Sequence, residues 1–185
     1  MTPLQEYNRL IQELDAELAE FRSMPGALMH CAPGCAQCCG EMAVLPIEAQ
    51  ALLAASRGWI PDAALDTGRC PLLTEDTRCR FYQSRPLVCR VRGLPVFFID
   101  QDGVPSRDFC ANNRFPSAEP AGDSGAVHLE LWNARLYRLN RRFCAEAGIP
   151  AHRIPMKDLF SAERRPHAVP MDAALSRLYA LSSTP

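Results

Sequence analysis

Apolar residues recur at helical spacing from the start of the chain: Leu4, Tyr7, Leu10 or Ile11, Leu14, Leu18 and Phe21 fall on one face of a 3.6-residue repeat. Thr2 stands where an N-cap belongs, Pro3 suits the first helical position, and Gln5 completes a Thr-x-x-Gln capping box. Ser23 to Gly26, with Pro25, ends this helix. A second helix is predicted from Pro46 to about Ser56, burying Ile47, Leu52 and Leu53 and closing at Gly58. A third runs from about Gly125 to Ala147 on Leu129, Trp132, Leu136, Leu139 and Phe143, and Gly148 with Pro150 stops it. Leu175, Leu178 and Leu181 predict a last helix over Met171 to Leu181.

Extended pieces are expected at Glu41 to Leu45 and at Cys70 to Leu73, with a turn at Thr74 to Thr77. Leu94 to Ile99 and Val104 to Phe109 flank Asp100-Gln101-Asp102-Gly103, a hairpin pattern with Gly103 free to take positive φ. His30 to Gly40 is too rich in Cys, Gly and Pro for regular structure. Pro61 to Leu65 suits one turn of helix, Ser84 can cap a helical turn carrying Cys89, and residues 116–125 read as a linker. The sum is an α+β chain: a mainly helical single domain with short strands and a cysteine-rich loop region.

Composition removes several function classes. A net charge of −1 leaves no electrostatic footprint for nucleic acid or an anionic membrane surface. Nearly all the positive charge is arginine, Lys157 being the one lysine. No apolar run approaches the roughly 20 residues of a membrane span. Met1 to Arg22 is rich in Glu, Gln and Asp, unlike the cationic start and apolar run of a secretory signal, so the expected location is cytoplasmic.

Nine cysteines in a reducing compartment point to metal ligands or redox groups before disulfide staples, and the odd total prevents complete internal pairing. They cluster. Cys31, Cys35, Cys38 and Cys39 lie in CAPGCAQCC, Cys70 and Cys79 flank CPLLTEDTRC, Cys89 sits in RPLVCR, and Cys110 follows the hairpin. Tetrahedral thiolate coordination needs four sulfurs about 2.3 Å from one point, and spacers of two or three residues with Pro33 and Gly34 suit turns that aim such side chains inward. Adjacent cysteines usually point apart, so Cys38 and Cys39 either serve two metals or divide between binding and packing. Arg78, Arg80, Arg90 and Arg92 are close enough in sequence to offset thiolate charge, or are solvated surface charges. Cys144 falls on the third helix beside Phe143 and reads as a small buried hydrophobe.

Cys31-x3-Cys35-x2-Cys38 has the spacing of a radical S-adenosylmethionine enzyme, but the strand–helix alternation of that barrel is missing and a fourth cysteine is adjacent. The whole pattern instead resembles the CxxCxxCC cysteine-cluster family, also called YkgJ-like, a zinc- or iron-chelating domain. The matching residues are the Cys31–Cys39 run, Val44 to Leu53, Cys70-Pro-Leu, Cys79-Arg-Phe-Tyr, Arg85-Pro86 with Cys89-Arg90, and Cys110, spanning about residues 28–115. The resemblance implies zinc or iron, or a 4Fe–4S cluster, held by these eight cysteines. Some longer relatives in that family are flagellin lysine N-methylases; this chain is not expected to have room for that activity. The first spacing is x3 rather than x2. The implied organisation is an N-terminal helix over 1–27, a metal-binding domain over 28–115, and a helical extension over 116–185 packing on the same core.

Other candidates are weaker. His30 adjoins Cys31 and is an alternative ligand or a plain loop residue, and His128, His152 and His167 are isolated. Glu41 follows the cysteine run as an acid or base or as a solvated carboxylate. Phe81 and Tyr82 are expected around the metal site, and Trp59 and Trp132 as core or interface anchors. No Ser-His-Asp set, phosphate-binding glycine loop or HExxH helix occurs, so no catalytic residue is nominated and enzymatic activity stays open. Three functions fit: a metal-binding protein, an iron–sulfur redox or modifying enzyme, or a structural-zinc module docking another protein; nucleic-acid and membrane partners are not expected.

Overall fold

The computed structural model describes residues 1–23, 29–57, 59, 68–115, 125–160 and 178. Helix α1 (Pro3–Arg22) forms as the pattern requires, with Thr2 accepting from the Gln5 N–H and the Gln5 side chain accepting from the Thr2 N–H. Removing the cap with Thr2→Ala is expected to cost about 1 kcal/mol in chemical denaturation; an unchanged midpoint would mean the box carries no stability.

Helix α2 spans Pro46–Ser56, as the sequence predicts. Its stop is a correction: Arg57, at φ 47, takes the left-handed cap expected of Gly58, which lies outside the described residues. Helix α4 spans Leu129–Ala147 and ends at Gly148, φ 63. It starts later than the periodicity predicts, because Val127–His128 is a strand, β4, pairing in parallel with β2 (Val96–Ile99). Sheet hydrogen bonding takes those two residues from the helix. β2 also pairs antiparallel with β3 (Pro105–Asp108), giving the expected hairpin, with Gly103 at φ 78.

The predicted strand at Glu41 to Leu45 shrinks to β1 (Ala43–Val44), which pairs antiparallel with β5 (Ile154–Pro155). β5 and the short helix α5 (Met156–Leu159) escaped the sequence reading, because a two-residue strand and a one-turn helix leave no periodicity. Cys70 to Leu73 is a correction too: it folds as a turn, with the Leu73 N–H on the Cys70 carbonyl, rather than as an extended piece. The stretch 61–65, the linker up to residue 124 and the predicted last helix lie outside the described residues, except for Leu178, which is buried.

The core gathers Leu14 and Leu18 of α1, Ile47 and Leu52 of α2, and Phe160 after α5, all nearly or fully inaccessible, with Trp132, Leu136 and Phe143 of α4 against them. Leu72 and Leu87 belong to the same core although each lies between cysteines in sequence. They anchor the cysteine-bearing segments to the helices. The protein is thus a mixed α+β single domain, mainly helical, with two small sheets.

Candidate metal centre

The eight nominated cysteines come from four stretches, the first two joined by backbone hydrogen bonds and the other two brought in by side chains. The first, 31–39, is two successive turns: the Cys35 N–H donates to the Ala32 carbonyl and the Cys39 N–H to the Ala36 carbonyl, each at 3.0 Å. Gly34, at φ 93, completes the first of them. The Thr77 hydroxyl donates to the Gly34 carbonyl at 2.7 Å, and the Asn112 amide donates to Gln37 Oε1 at 2.7 Å. The two turns are therefore held by different partners, one by the 74–77 turn and one by the stretch after Cys110.

The second stretch carries Cys70 and Cys79. The Cys70 N–H donates to the Cys39 carbonyl at 3.0 Å, and Gly40 bridges Arg69. Leu73 bridges Cys79, and the Arg80 N–H donates to the Leu72 carbonyl at 2.8 Å, so the two cysteines flank a closed turn. Cys89 rides on α3 (Leu87–Val91), after a 3₁₀ turn at Tyr82–Ser84. Ser84 does not cap this helix, contrary to the sequence expectation; Glu48 Oε1 accepts the Leu87 N–H at 2.9 Å instead. The Cys89 thiol reaches Met42 Sδ at 3.3 Å. Buried Arg90 pairs with Asp15 of α1 and donates to the carbonyls of Gln83 and Arg85, fastening this stretch to the helical core.

Around Cys110 the organising residue is Asn113. It is buried, accepts the His30 N–H on Oδ1 at 2.7 Å, and donates from Nδ2 to the Gly93 carbonyl at 2.6 Å and to Cys31 Sγ at 3.4 Å. Its own N–H donates to the Cys110 carbonyl at 2.8 Å. Gly93, at φ 87, is enforced twice over, because a Cβ there would stand 2.7 Å from Cys31 Sγ. The sequence pattern singles out neither residue; the polar pair Asn112-Asn113, one residue beyond Cys110, is the available signal.

No described cysteine is in a disulfide. Cys31, Cys35 and Cys38 are exposed; Cys39, Cys70, Cys79, Cys89 and Cys110 are half-buried; Cys144 is buried. Burial pushes the thiols of Cys31, Cys70 and Cys79 upward, and that of Cys89 up to about 12. The Cys38 thiol hydrogen-bonds to Cys39, raising the former and lowering the latter. The arginines that favour thiolates are Arg85, which acts on Cys79 and Cys89, and Arg92, which acts on Cys38. Arg78 instead pairs with Asp76, and Arg80 lies over the Trp59 ring.

Among the described residues, no three Cys, His, Asp or Glu side chains stand close enough together to grip an ion as placed. The thiols are neighbours in an open arrangement, not a closed tetrahedron. Their chemistry still selects an ion class: soft sulfur donors with cationic residues beside them suit zinc or iron and not calcium or magnesium.

The remaining candidates fall outside this cluster or at its edge. His30 is exposed, with its backbone on Asn113. Glu41 pairs with Lys157 and accepts the Gly68 N–H. Phe81 packs with Trp59 and Phe160, whereas Tyr82 is exposed under the Arg85 guanidinium. Trp132 is buried and donates to Glu17. His128 lies tilted against the Phe97 ring, His152 is exposed, and His167 lies outside the described residues. Cys144 donates to Asn140 within α4, and burial alone raises its thiol, with no other cysteine acting on it.

No helix among the described residues is long and apolar enough to cross a membrane. No curated protein and no solved structure matches the chain. A family model does: residues 30–111, which hold all eight clustered cysteines, match CxxCxxCC, described as "Putative zinc- or iron-chelating domain". Over residues 30–111, the chain is similar to the CxxCxxCC family.

Proposed function

We propose that the protein binds zinc or iron through Cys31, Cys35, Cys38, Cys39, Cys70, Cys79, Cys89 and Cys110, in a reducing compartment such as the cytoplasm, where the thiols stay free. The observation that carries this reading is the Cys39–Cys70 backbone hydrogen bond with the Gly40–Arg69 bridge beside it. It joins the CAPGCAQCC run to the CPLLTEDTRC turn, cysteine to cysteine, although no residue of 29–40 is buried. When bound, the ion supplies thiolate cross-links between loops that bury little apolar surface of their own.

Anaerobic purification followed by metal analysis and a visible spectrum tests this. Stoichiometric zinc in a colourless sample identifies a zinc protein; iron with sulfide in a brown, reducible sample identifies a 4Fe–4S protein. Cys35→Ser and Cys79→Ser are each expected to lower metal content, and Cys144→Ser to leave it unchanged. A fully folded chain that carries no metal and takes up neither ion on anaerobic reconstitution would overturn the proposal.

A further inference from the structure

The eight thiols do not form one ring. Gly93 faces the Cys31 sulfur and the Cys110 Cβ together, the latter 3.9 Å from where a glycine Cβ would sit, and Asn113 links the same two cysteines. The turn carrying Cys38 is tied to this side through Gln37 and Asn112, and Cys35 closes the turn that follows directly on Cys31, its Gly34 carbonyl also accepting from Thr77. On the other side, the backbone hydrogen bond from Cys70 to Cys39 and the Leu73–Cys79 bridge gather Cys39, Cys70 and Cys79. Cys89 joins them from α3, its thiol on Met42, three residues after Cys39.

From this placement we infer that the domain holds two metal sites of four thiolates each, Cys31, Cys35, Cys38 and Cys110 in one and Cys39, Cys70, Cys79 and Cys89 in the other, meeting at the Cys38–Cys39 pair. The inference rests on the metal-binding reading above and adds the ligand partition.

Four thiols per site satisfy a tetrahedral ion or a cubane corner set without water, and each thiol gives up its proton to solvent on binding. In this arrangement Gly93 and Asn113 are positioning residues for the first site. Asn113 lies beyond the matched family segment, so this part of the support is supplied by the chain outside it.

Cobalt(II), added without oxygen to the metal-free full-length chain, reads the sites through thiolate charge-transfer and tetrahedral d–d bands. The expected end point is two equivalents. Cys31→Ser/Cys110→Ser and Cys79→Ser/Cys89→Ser are each expected to bring it to one, and Gly93→Ala to weaken one equivalent while sparing the other. A second measurement needs no substitution. When the cobalt-loaded wild-type chain is partly stripped with chelator and alkylated, its mass spectrum should show species with none, four and eight labels. A single equivalent, or only none and eight labels, overturns the partition while leaving metal binding intact. Absence of any cobalt uptake overturns the metal-binding reading itself.

Discussion

Chelating the metal from the intact protein is expected to release residues 29–40 while α1, α2 and α4 stay packed. Among residues 29–40 none is buried, and several are fully at the surface. The turns at Cys35 and Cys39 each close on one backbone hydrogen bond and are steadied by the exposed side-chain bonds from Thr77 and Asn112. The 70–79 turn differs because Leu72 is in the core, and the α3 stretch is held by Leu87, Val91 and the Arg90–Asp15 pair. Loss of protection should therefore be graded, greatest in 29–40, smaller in 73–80 and least in 87–91. An ion present at about 100 times its Kd contributes about 2.7 kcal/mol, equivalent to about 100-fold in exchange protection of the segment it closes. Hydrogen exchange with and without chelator reads this directly. Equal protection of 29–40 in both states would show that the ion does not order it, and uniform loss across α1 and α4 would show that the core depends on it.

Glu48→Gln is expected to destabilise the fold by about 1–3 kcal/mol, measured by denaturant titration, with the m-value unchanged. Glu48 is buried, and its two oxygens each accept a backbone N–H: Leu45 at 3.0 Å, where α2 begins, and Leu87 at 2.9 Å, where α3 begins. Glutamine offers one oxygen and turns an amide N–H₂ toward the other donor, leaving a buried group unpaired. Glu48→Ala strips both acceptors and should cost more. Burial holds the Glu48 pKa above its ordinary 4.5, with the two N–H groups pulling against that shift. A raised folded pKa contributes stability that is fully present below the unfolded value and is lost as pH rises through the folded value. The difference between wild type and Glu48→Gln should accordingly be larger below pH 4.5 than at pH 7. A pH-independent difference would show that the carboxyl titrates normally. Because α3 carries Cys89, the same variant should also loosen metal binding.

Cation placement also separates what proximity in sequence suggests from what folding does. Arg78, Arg80 and Arg90 lie within one residue of a cysteine, yet one pairs with Asp76, one lies over Trp59 and one is buried against Asp15. Arg85, four residues before Cys89, is the residue whose charge favours the thiolates of Cys79 and Cys89, steadied by donating to the Tyr82 and Cys89 carbonyls. Long side chains reach whichever partner the packed surface offers, so their spacing along the chain carries little information.

The sequence by itself determined the local elements whose cause is local. The Thr2–Gln5 box with Pro3 set the start of α1, Pro46 that of α2, and the Asp100–Gly103 turn the hairpin, because capping and turn geometry depend on a few neighbouring residues. It also determined which thiols could act together, through their clustering and the family pattern they match. Tertiary structure decided everything that needed distant partners. The parallel β4–β2 pairing shortened α4, β1 found β5 across more than a hundred residues, and Glu48 rather than Ser84 supplied the cap for α3. The same holds for Asn113 and Gly93, which shape the surroundings of Cys31 from twenty residues apart. Hydrogen-bond partners far along the chain are chosen by how the core packs, and no short window of residues encodes that choice.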